Sequence, residues 1–410
     1  MTLFKCIDQI DLEEKRVFIR ADFNVPMKNG QILDDTKIRL ALKTIQWAML
    51  KKAKIILASH LGRPKGRNHS DLSLLPVAER LVELLDGKEM IMAPDCIGDG
   101  VRKAITDLLP GQILMLENVQ FYQEELDNDI NFATELARNI DVYVNDTFAN
   151  LHRSEASTCA LAELLPTRCA GFALINELEH LERMIRDPAR PLVVVLGGNR
   201  LGDRLQLIDR LIEIADYILI GSGLATTFLS AQNRDKGISF GEIMTYEATL
   251  DIIRKCRSHD VTLKLPVDYL AAPSADDSGQ AQVFRPEQIP ANWGVFDIGP
   301  ETLPEFSRIF NLAGTIFWNG AMGLCSVEKF AQGTTEVARA IGTTKALSLV
   351  SGGDAIAALK KLGLTGKIAH ITGGGAILEF LENRRLPGLA ALGYYSEPLT
   401  ARNAERLAPL

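Results

Sequence analysis

Short apolar runs alternate with amphipathic segments along most of the chain, and this alternation constrains the fold more than any other feature. The runs are "RVFIR", "AKIILAS", "QILMLEN", "DVYVND", "PLVVVLGG", "DYILIGSG", "TIFWNG" and "ALSLVSGGD". Between them lie segments such as "DTKIRLALKTIQWAMLKK" and "SLLPVAERLVELLDG", with Trp47 and Leu50 of the first expected to pack in a core. Strands that are apolar nearly throughout and alternate with helices predict parallel sheets covered on both faces. A chain of 410 residues is too long for one ordinary core, so two domains of roughly 200 residues each are expected. The expected fold class is α/β: two Rossmann-like three-layer lobes with parallel sheets, joined by a hinge helix.

The hinge is expected at "NELEHLERMIRDPARP", residues 176–191, a charged amphipathic helix stopped by Pro188 and Pro191. That places a first lobe at 1–175 and a second at 192–387, with the tail from about 388 to 410 expected at the periphery near the first lobe. Many of the runs end in Gly, Asn, Asp or His. Open α/β sheets hold their ligands at the carboxyl ends of the strands, so these endings predict ligand-facing rims.

Composition narrows the partners. With 47% hydrophobic and 24% charged residues, no uninterrupted apolar run is long enough to span a bilayer. The opening "MTLFKCIDQIDLEEKR" turns acidic before a signal-peptide core forms, so a cytoplasmic location is expected. A net charge of −7 gives no support for nucleic-acid binding. The six cysteines are scattered without a CxxC pair, which predicts free thiols and no zinc site. Any metal would be a hard cation on oxygen ligands.

Two stretches in the second half are candidate phosphate loops: "VVVLGGNRLGDRLQLIDRL" and "LSLVSGGDAIAALKKL". Each is a buried strand, a glycine pair and a helix start, where free backbone N–H groups and the helix dipole attract anions. Neither matches a Walker loop or a dinucleotide fingerprint. Asp354, at the second helix start, reads either as a cap or as a Mg²⁺ ligand across a phosphate loop. In the first half, "FIRADFNVPMKNGQILDDTKIRLAL" reads as a strand ending in a polar loop, with Asp22 and Asn24 at the strand end.

The ordered set "ADFNVP", "SHLGRPKG", "DVYVND", "LPVD", "DIGPET", "FWNGAMG", "EKFAQGT", "SGGD" and "TGGGAILEFLE" resembles the phosphoglycerate kinase family over nearly the whole chain. The resemblance implies an enzyme whose first lobe binds 3-phosphoglycerate and whose second binds Mg²⁺-ATP or ADP. It implies phosphoryl transfer between nucleotide and a small carboxylate, and a monomer. Substrate-site positions carried over are Asp22, Asn24, His60, Arg63, Gln120, His152 and Arg153. Nucleotide-site positions are Gly197, Gly198, Arg204, Gly221, Asn319, Gly320, Ser326, Asp354 and Ala355, with Asp354 also the Mg²⁺ ligand. The catalytic positions are Lys37, Arg200, Gly352 and Gly353.

Several of these depart from the family pattern. Lys37 stands for its catalytic arginine, and Gln120 for an arginine that grips the substrate's distal phosphate. The family's "HRAH" reads "HRSE", which brings Glu155 near an anion site. Arg200 and Arg204 replace lysines, Ser326 the ribose carboxylate, Ala321 a proline and Ala355 a threonine; "HITGGGA" is one residue short. Exchanges between Arg and Lys keep charge but change donor geometry, whereas Gln120 loses a cation. Because Asp22, Asn24, Arg63, Arg153 and Asp354 are intact, an active carboxylate kinase with a changed acceptor, such as a less anionic acid or a phosphonate, is favoured. The alternatives are an ordinary 3-phosphoglycerate kinase and a catalytically silent paralogue that binds a nucleotide or a partner.

Overall fold

The computed structural model describes residues 4–198, 201–232, 246–368, 370–372, 375–382 and 384–394. The chain divides into two compact units, one running to Glu179 with the segment from Arg384 added, the other starting at His180.

The first unit is built on a parallel six-stranded sheet. Its strands are β1 (Arg16–Arg20), β4 (Lys54–Ala58), β5 (Met90–Met92), β6 (Ile113–Met115), β7 (Val142–Asn145) and β8 (Arg168–Ala170). They lie in the order β5-β6-β4-β1-β7-β8. A separate hairpin, β2 (Met27–Lys28) with β3 (Gln31–Ile32), occupies what the sequence suggested was plain loop. Its turn is Asn29–Gly30, both at positive φ, the pairing that two-residue hairpins favour. The helices are α1 (Thr36–Leu50), α2 (Leu75–Leu84), α3 (Asp99–Asp107), α4 (Gln123–Leu126), α5 (Ile130–Ala137) and α6 (Ala160–Leu164).

Val17, Phe18 and Ile19 of β1 and Ile55, Ile56 and Leu57 of β4 are fully buried, as strands covered on both faces must be. Each such side chain contributes about 1.5–3 kcal/mol of burial free energy. On α1 the buried stripe is Ile38, Ala41, Ile45 and Ala48, one face at helical spacing. Trp47 is half-buried and packs edge-on against Phe172, centroids 5.8 Å apart. Leu50 is not a core residue: at the helix end it is 72% exposed, off the buried stripe.

The division between units falls within α7 (Phe172–Arg186). This helix starts four residues before the expected hinge and stops five before its end. Pro188 explains the early stop, because the residue before a proline is pushed out of helical geometry.

The second unit holds β9 (Leu192–Leu196), β10 (Tyr217–Ile220), β11 (Thr262–Lys264), β15 (Thr315–Asn319), β16 (Leu347–Ser351) and β17 (His370–Thr372). They form a parallel sheet in the order β11-β10-β9-β15-β16-β17. A small antiparallel sheet, unforeseen in the sequence, comprises β12 (Tyr269–Ala272), β13 (Gln282–Phe284) and β14 (Gly294–Ile298). Helices α8 (Leu205–Ile212), α9 (Ser222–Ala231), α10 (Tyr246–Ser258), α11 (Thr302–Leu312), α12 (Gln332–Thr343), α13 (Gly353–Lys361) and α14 (Ala376–Leu381) belong to it. The short α15 (Pro387–Ala391) returns to the first unit, where the Gly388 N–H donates to the Leu151 carbonyl at 2.9 Å.

Candidate active site

In the first unit the register of the sheet decides which residues meet. Arg20 pairs level with Ala58 on one side and Asn145 on the other. The segments 21–24, 59–63 and 146–155 therefore leave the sheet from one rim, the carboxyl end where α/β ligands bind.

Asp22 sits at the centre of this rim. Its Oδ2 accepts from Lys37 Nζ at 2.7 Å, and its Oδ1 from the Asn24 N–H at 3.0 Å. Burial alone would raise its pKa, but the Lys37 ammonium and these hydrogen bonds hold it below the ordinary carboxylate range. Lys37 lies in the first turn of α1, where the helix dipole disfavours a cation; the ion pair with Asp22 offsets that. Asn24 is fixed by accepting the Gly62 N–H at 2.9 Å, and Arg63, next in the same loop, is exposed.

His60 is buried, with Arg20 Nη2 donating to its Nδ1 at 3.3 Å. A guanidinium can only donate, so the ring proton resides on Nε2. Burial and the Arg20 charge push its pKa down to about 3, so the ring is neutral at physiological pH and offers an N–H donor.

Arg20 is the residue that sequence reasoning missed. It is fully buried, and donates to the Ser157 hydroxyl at 2.8 Å and the Ala21 carbonyl at 2.7 Å. A charge this deep needs several partners; an arginine ending an otherwise apolar strand was the available signal. Ser157 in turn donates from its hydroxyl to Glu125 Oε1 and from its N–H to Glu125 Oε2, the latter at 2.8 Å. Burial, with neighbouring Glu155 adding to it, pushes Glu125 up to about 7.

Gln120 and Glu155, both buried, face each other. Gln120 Nε2 donates to Glu155 Oε1 at 2.8 Å, and Arg153 Nη1 approaches the same oxygen at 3.4 Å. Glu155 Oε2 lies 3.6 Å from Arg20 Nη2. His152 is half-buried in the turn just before.

The second unit builds its rim differently. Leu196, Ile220, Asn319 and Ser351 lie in one level row across β9, β10, β15 and β16. Each is followed by a glycine: Gly197, Gly221, Gly320 and Gly352. The backbones approach so closely that a methyl on Gly197 would collide with the Ala321 carbonyl, and one on Gly352 would come 3.1 Å from the Gly320 nitrogen. Gly198 donates its N–H to the Ala321 carbonyl at 3.0 Å. Arg204, at the start of α8, donates to Asn319 Oδ1, with its guanidinium beside Gly198.

α13 opens directly from this row, with Gly352 at its N-cap, Gly353 its first residue and Asp354 exposed in its first turn. The N-cap position is held by Gly352 and not by Asp354, which lies inside the first turn; this corrects the capping reading. An exposed carboxylate beside free helix N–H groups suits Mg²⁺, which takes one or two carboxylates and completes its shell with phosphate and water. Among the described residues no group of three His, Cys, Asp or Glu could hold a metal unaided. Ala355 is fully buried in the hydrophobic core cluster of this unit. Ser326 is exposed in the loop after β15. Arg200, together with Gly373 and Gly374 of "HITGGGA", lies outside the described residues.

Among the described residues no helix is long and apolar enough to cross a membrane. The family model described as phosphoglycerate kinase matches residues 7–384. A phosphoglycerate kinase of Pelotomaculum thermopropionicum is 44% identical over 389 residues, covering 95% of this chain and 98% of its own. That of Geotalea uraniireducens is 43% identical, covering 94% and 97%. Among solved structures, phosphoglycerate kinase from Coxiella burnetii superposes with a TM-score of 0.84 at 38% identity, covering 95% of this chain and 99% of that one. The Pyrococcus horikoshii enzyme gives 0.78 at 31% identity, covering 95% and 98%.

Proposed function

This chain belongs to the phosphoglycerate kinase family, kinases with a carboxyl group as acceptor, and from that premise we propose that it transfers the γ-phosphoryl group of ATP to the carboxylate of 3-phosphoglycerate. The observation that carries the reading is the pairing of two unlike rims. One presents a carboxylate, a lysine and arginines for a hydroxy acid; the other presents a glycine row and a helix N-terminus for phosphate.

The chemistry needs little from the protein beyond placement and charge. A carboxylate nucleophile is ionised at neutral pH, so no general base is required. The protein must align two anions and stabilise charge on the group in flight. On this reading Asp22 accepts the acceptor's 2-hydroxyl, Asn24 and the His60 Nε2–H orient it, and Lys37 neutralises the attacking carboxylate. In the second unit the N–H groups of Gly353 and Asp354 receive phosphate oxygens, and Arg204 and Asn319 frame the loop. Mg²⁺, held by Asp354 and the nucleotide phosphates, would supply charge neutralisation at those oxygens. Acceptor and nucleotide must meet, which assigns α7 the role of hinge. A monomer suffices for this scheme, and a cytoplasmic site of action suits both substrates.

A second reading, a changed acceptor with a less anionic far end, is favoured by one observation: Gln120, which stands for an arginine of the family's pattern, is hydrogen-bonded to Glu155. Acceptor-dependent ADP release separates the possibilities. Turnover with 3-phosphoglycerate at an enzymatic rate, on the order of tens per second, abolished in Asp22→Asn, supports the first reading. Turnover only with another carboxylate supports the second. Bound ATP with no turnover on any acid would make the chain a silent paralogue.

A further inference from the structure

The segment that leaves β15, residues 320–325, crosses the glycine row of the second unit and bonds to the end of each neighbouring strand. The Gly320 N–H donates to the Ser351 carbonyl of β16 at 3.3 Å, and the Ala321 carbonyl accepts the Gly198 N–H at 3.0 Å. The Met322 carbonyl accepts from both the N–H and the hydroxyl of Ser222, the first residue of α9, at 2.9 and 2.6 Å. One short strap therefore fixes the spacing of the rim endings of β9, β10, β15 and β16. Gly320 also lies against Gly352, the N-cap of α13, so a shift of the strap moves one wall of the phosphate loop.

What holds the strap from its other side is a single side chain. The Met322 and Gly323 N–H groups both donate to the Thr334 hydroxyl oxygen, at 3.0 and 3.4 Å. The Cys325 thiol lies 3.4 Å from the same oxygen. Thr334 is buried in the first turn of α12, and that turn is anchored in its own right. The fully buried Asp297 of β14 accepts the Gly333 N–H at 2.7 Å. Gly323 passes so close to the Asp297 carboxylate that a methyl there would collide with it. Thr335, the next residue, shows the ordinary use of a helical threonine: its hydroxyl donates back to the Ala331 carbonyl at 2.9 Å. Thr334 instead spends its hydroxyl on the strap.

We propose that Thr334 is a positioning residue for the nucleotide, holding the 320–325 strap where the glycine row and the α13 N-terminus receive phosphate groups. The inference rests on the carboxylate-kinase reading and adds to it a residue that acts only through the strap. A strap fixed in advance costs nothing to order when the ligand arrives, whereas a released one must be ordered at the expense of affinity. That loss falls equally on ground state and transition state, so KM for the nucleotide rises while kcat stays.

The test uses the full chain, with Mg²⁺-ADP and 3-phosphoglycerate as separate calorimetric probes. Thr334→Val keeps the shape of the side chain and removes the acceptor oxygen. It is expected to weaken Mg²⁺-ADP by about tenfold and to raise KM for Mg²⁺-ATP alike, with kcat and 3-phosphoglycerate affinity unchanged. Thr334→Ser restores the oxygen and is expected to restore the affinity, and Thr335→Val is expected to bind as the wild type does. A merely structural threonine would lower the unfolding midpoint and leave the affinity of the folded molecules as it was. A change in Mg²⁺-ADP affinity of less than about threefold in folded Thr334→Val, or an equal loss for 3-phosphoglycerate, overturns the proposal. If that variant does not fold, Ser222→Ala, which frees the strap from the opposite side, decides in its place: a loss of about threefold is expected, and none overturns it. Hydroxylamine trapping on the same samples keeps the two readings apart. Nucleotide affinities in the expected order without acyl phosphate would sink the kinase reading and leave the role of Thr334 standing. Acyl phosphate with unchanged affinities would do the reverse, and a wild type that binds no Mg²⁺-ADP would sink both.

Discussion

The two rims do comparable jobs with opposite materials. In the first unit the candidate acceptor rim is built of side chains, Asp22, Lys37, His60, Arg153, Gln120 and Glu155 among them, linked by hydrogen bonds and ion pairs. In the second the framework is backbone, a row of glycines packed too tightly for any Cβ at Gly197. A side-chain site can be retuned one substitution at a time without moving the sheet. A backbone site is fixed by the packing that forms it.

The largest effect that would break this contrast is at Gly197. Gly197→Ala drives a methyl into the Ala321 carbonyl and is expected to cost about 3 kcal/mol, read by denaturant unfolding. A loss under about 1 kcal/mol would show that the backbone row is more forgiving than argued.

Next is Asp22→Asn, which removes the Lys37 ion pair and, on the proposed function, leaves the acceptor's hydroxyl a neutral partner in place of a carboxylate. Acceptor affinity is expected to fall by about 10–100-fold with nucleotide affinity unchanged, measured by titrating each ligand separately. Equal losses for both would contradict a division of labour between units.

Glu125 sharpens the contrast through pH. Folding raises its pKa to about 7, so the folded chain keeps a proton that the unfolded chain releases above its ordinary value of about 4.3. Stability from this source is present below that value and is lost as pH rises toward 7. Glu125→Gln is therefore expected to flatten the fall in stability between about pH 5 and pH 7 by roughly 2 kcal/mol. Unfolding curves across that window check it, and an unchanged slope would rule out burial as the cause.

The smallest structural effect is at Asp354. Its side chain is exposed and the N-cap belongs to Gly352, so Asp354→Asn should change stability by less than about 1 kcal/mol while weakening Mg²⁺-ATP relative to metal-free ATP. An equal loss of both nucleotide forms would remove Asp354 from the metal site.

Much of the framework was legible because long apolar runs have few alternatives. All eight quoted runs became central strands, since only strands buried on both faces can be apolar at every position. Edge strands such as β5 and β17 have only three residues each, too few to show a period, and the antiparallel sheet β12–β14 was missed as well. Asp22 and Asn24 stood out as polar residues ending an apolar run, whereas His60 entered only through the family resemblance. Arg20 was not, because its burial depends on Ser157, His60 and Glu155 arriving from distant segments. The same holds for the Gln120–Glu155 hydrogen bond, which sequence showed only as two separate departures. Leu50 failed for a simpler reason: position on a helix does not choose its face without knowing where the stripe runs.

The most direct test of the carboxylate-kinase account is hydroxylamine trapping with Mg²⁺-ATP and a panel of short hydroxy acids that includes 3-phosphoglycerate and glycerate 3-sulfate. The account predicts hydroxamate in an amount equal to the ADP released, from an acid bearing a carboxylate and a 2-hydroxyl. ADP released without hydroxamate, or at the same rate with no acid present, would mean that phosphoryl transfer goes to water, and the account would be wrong.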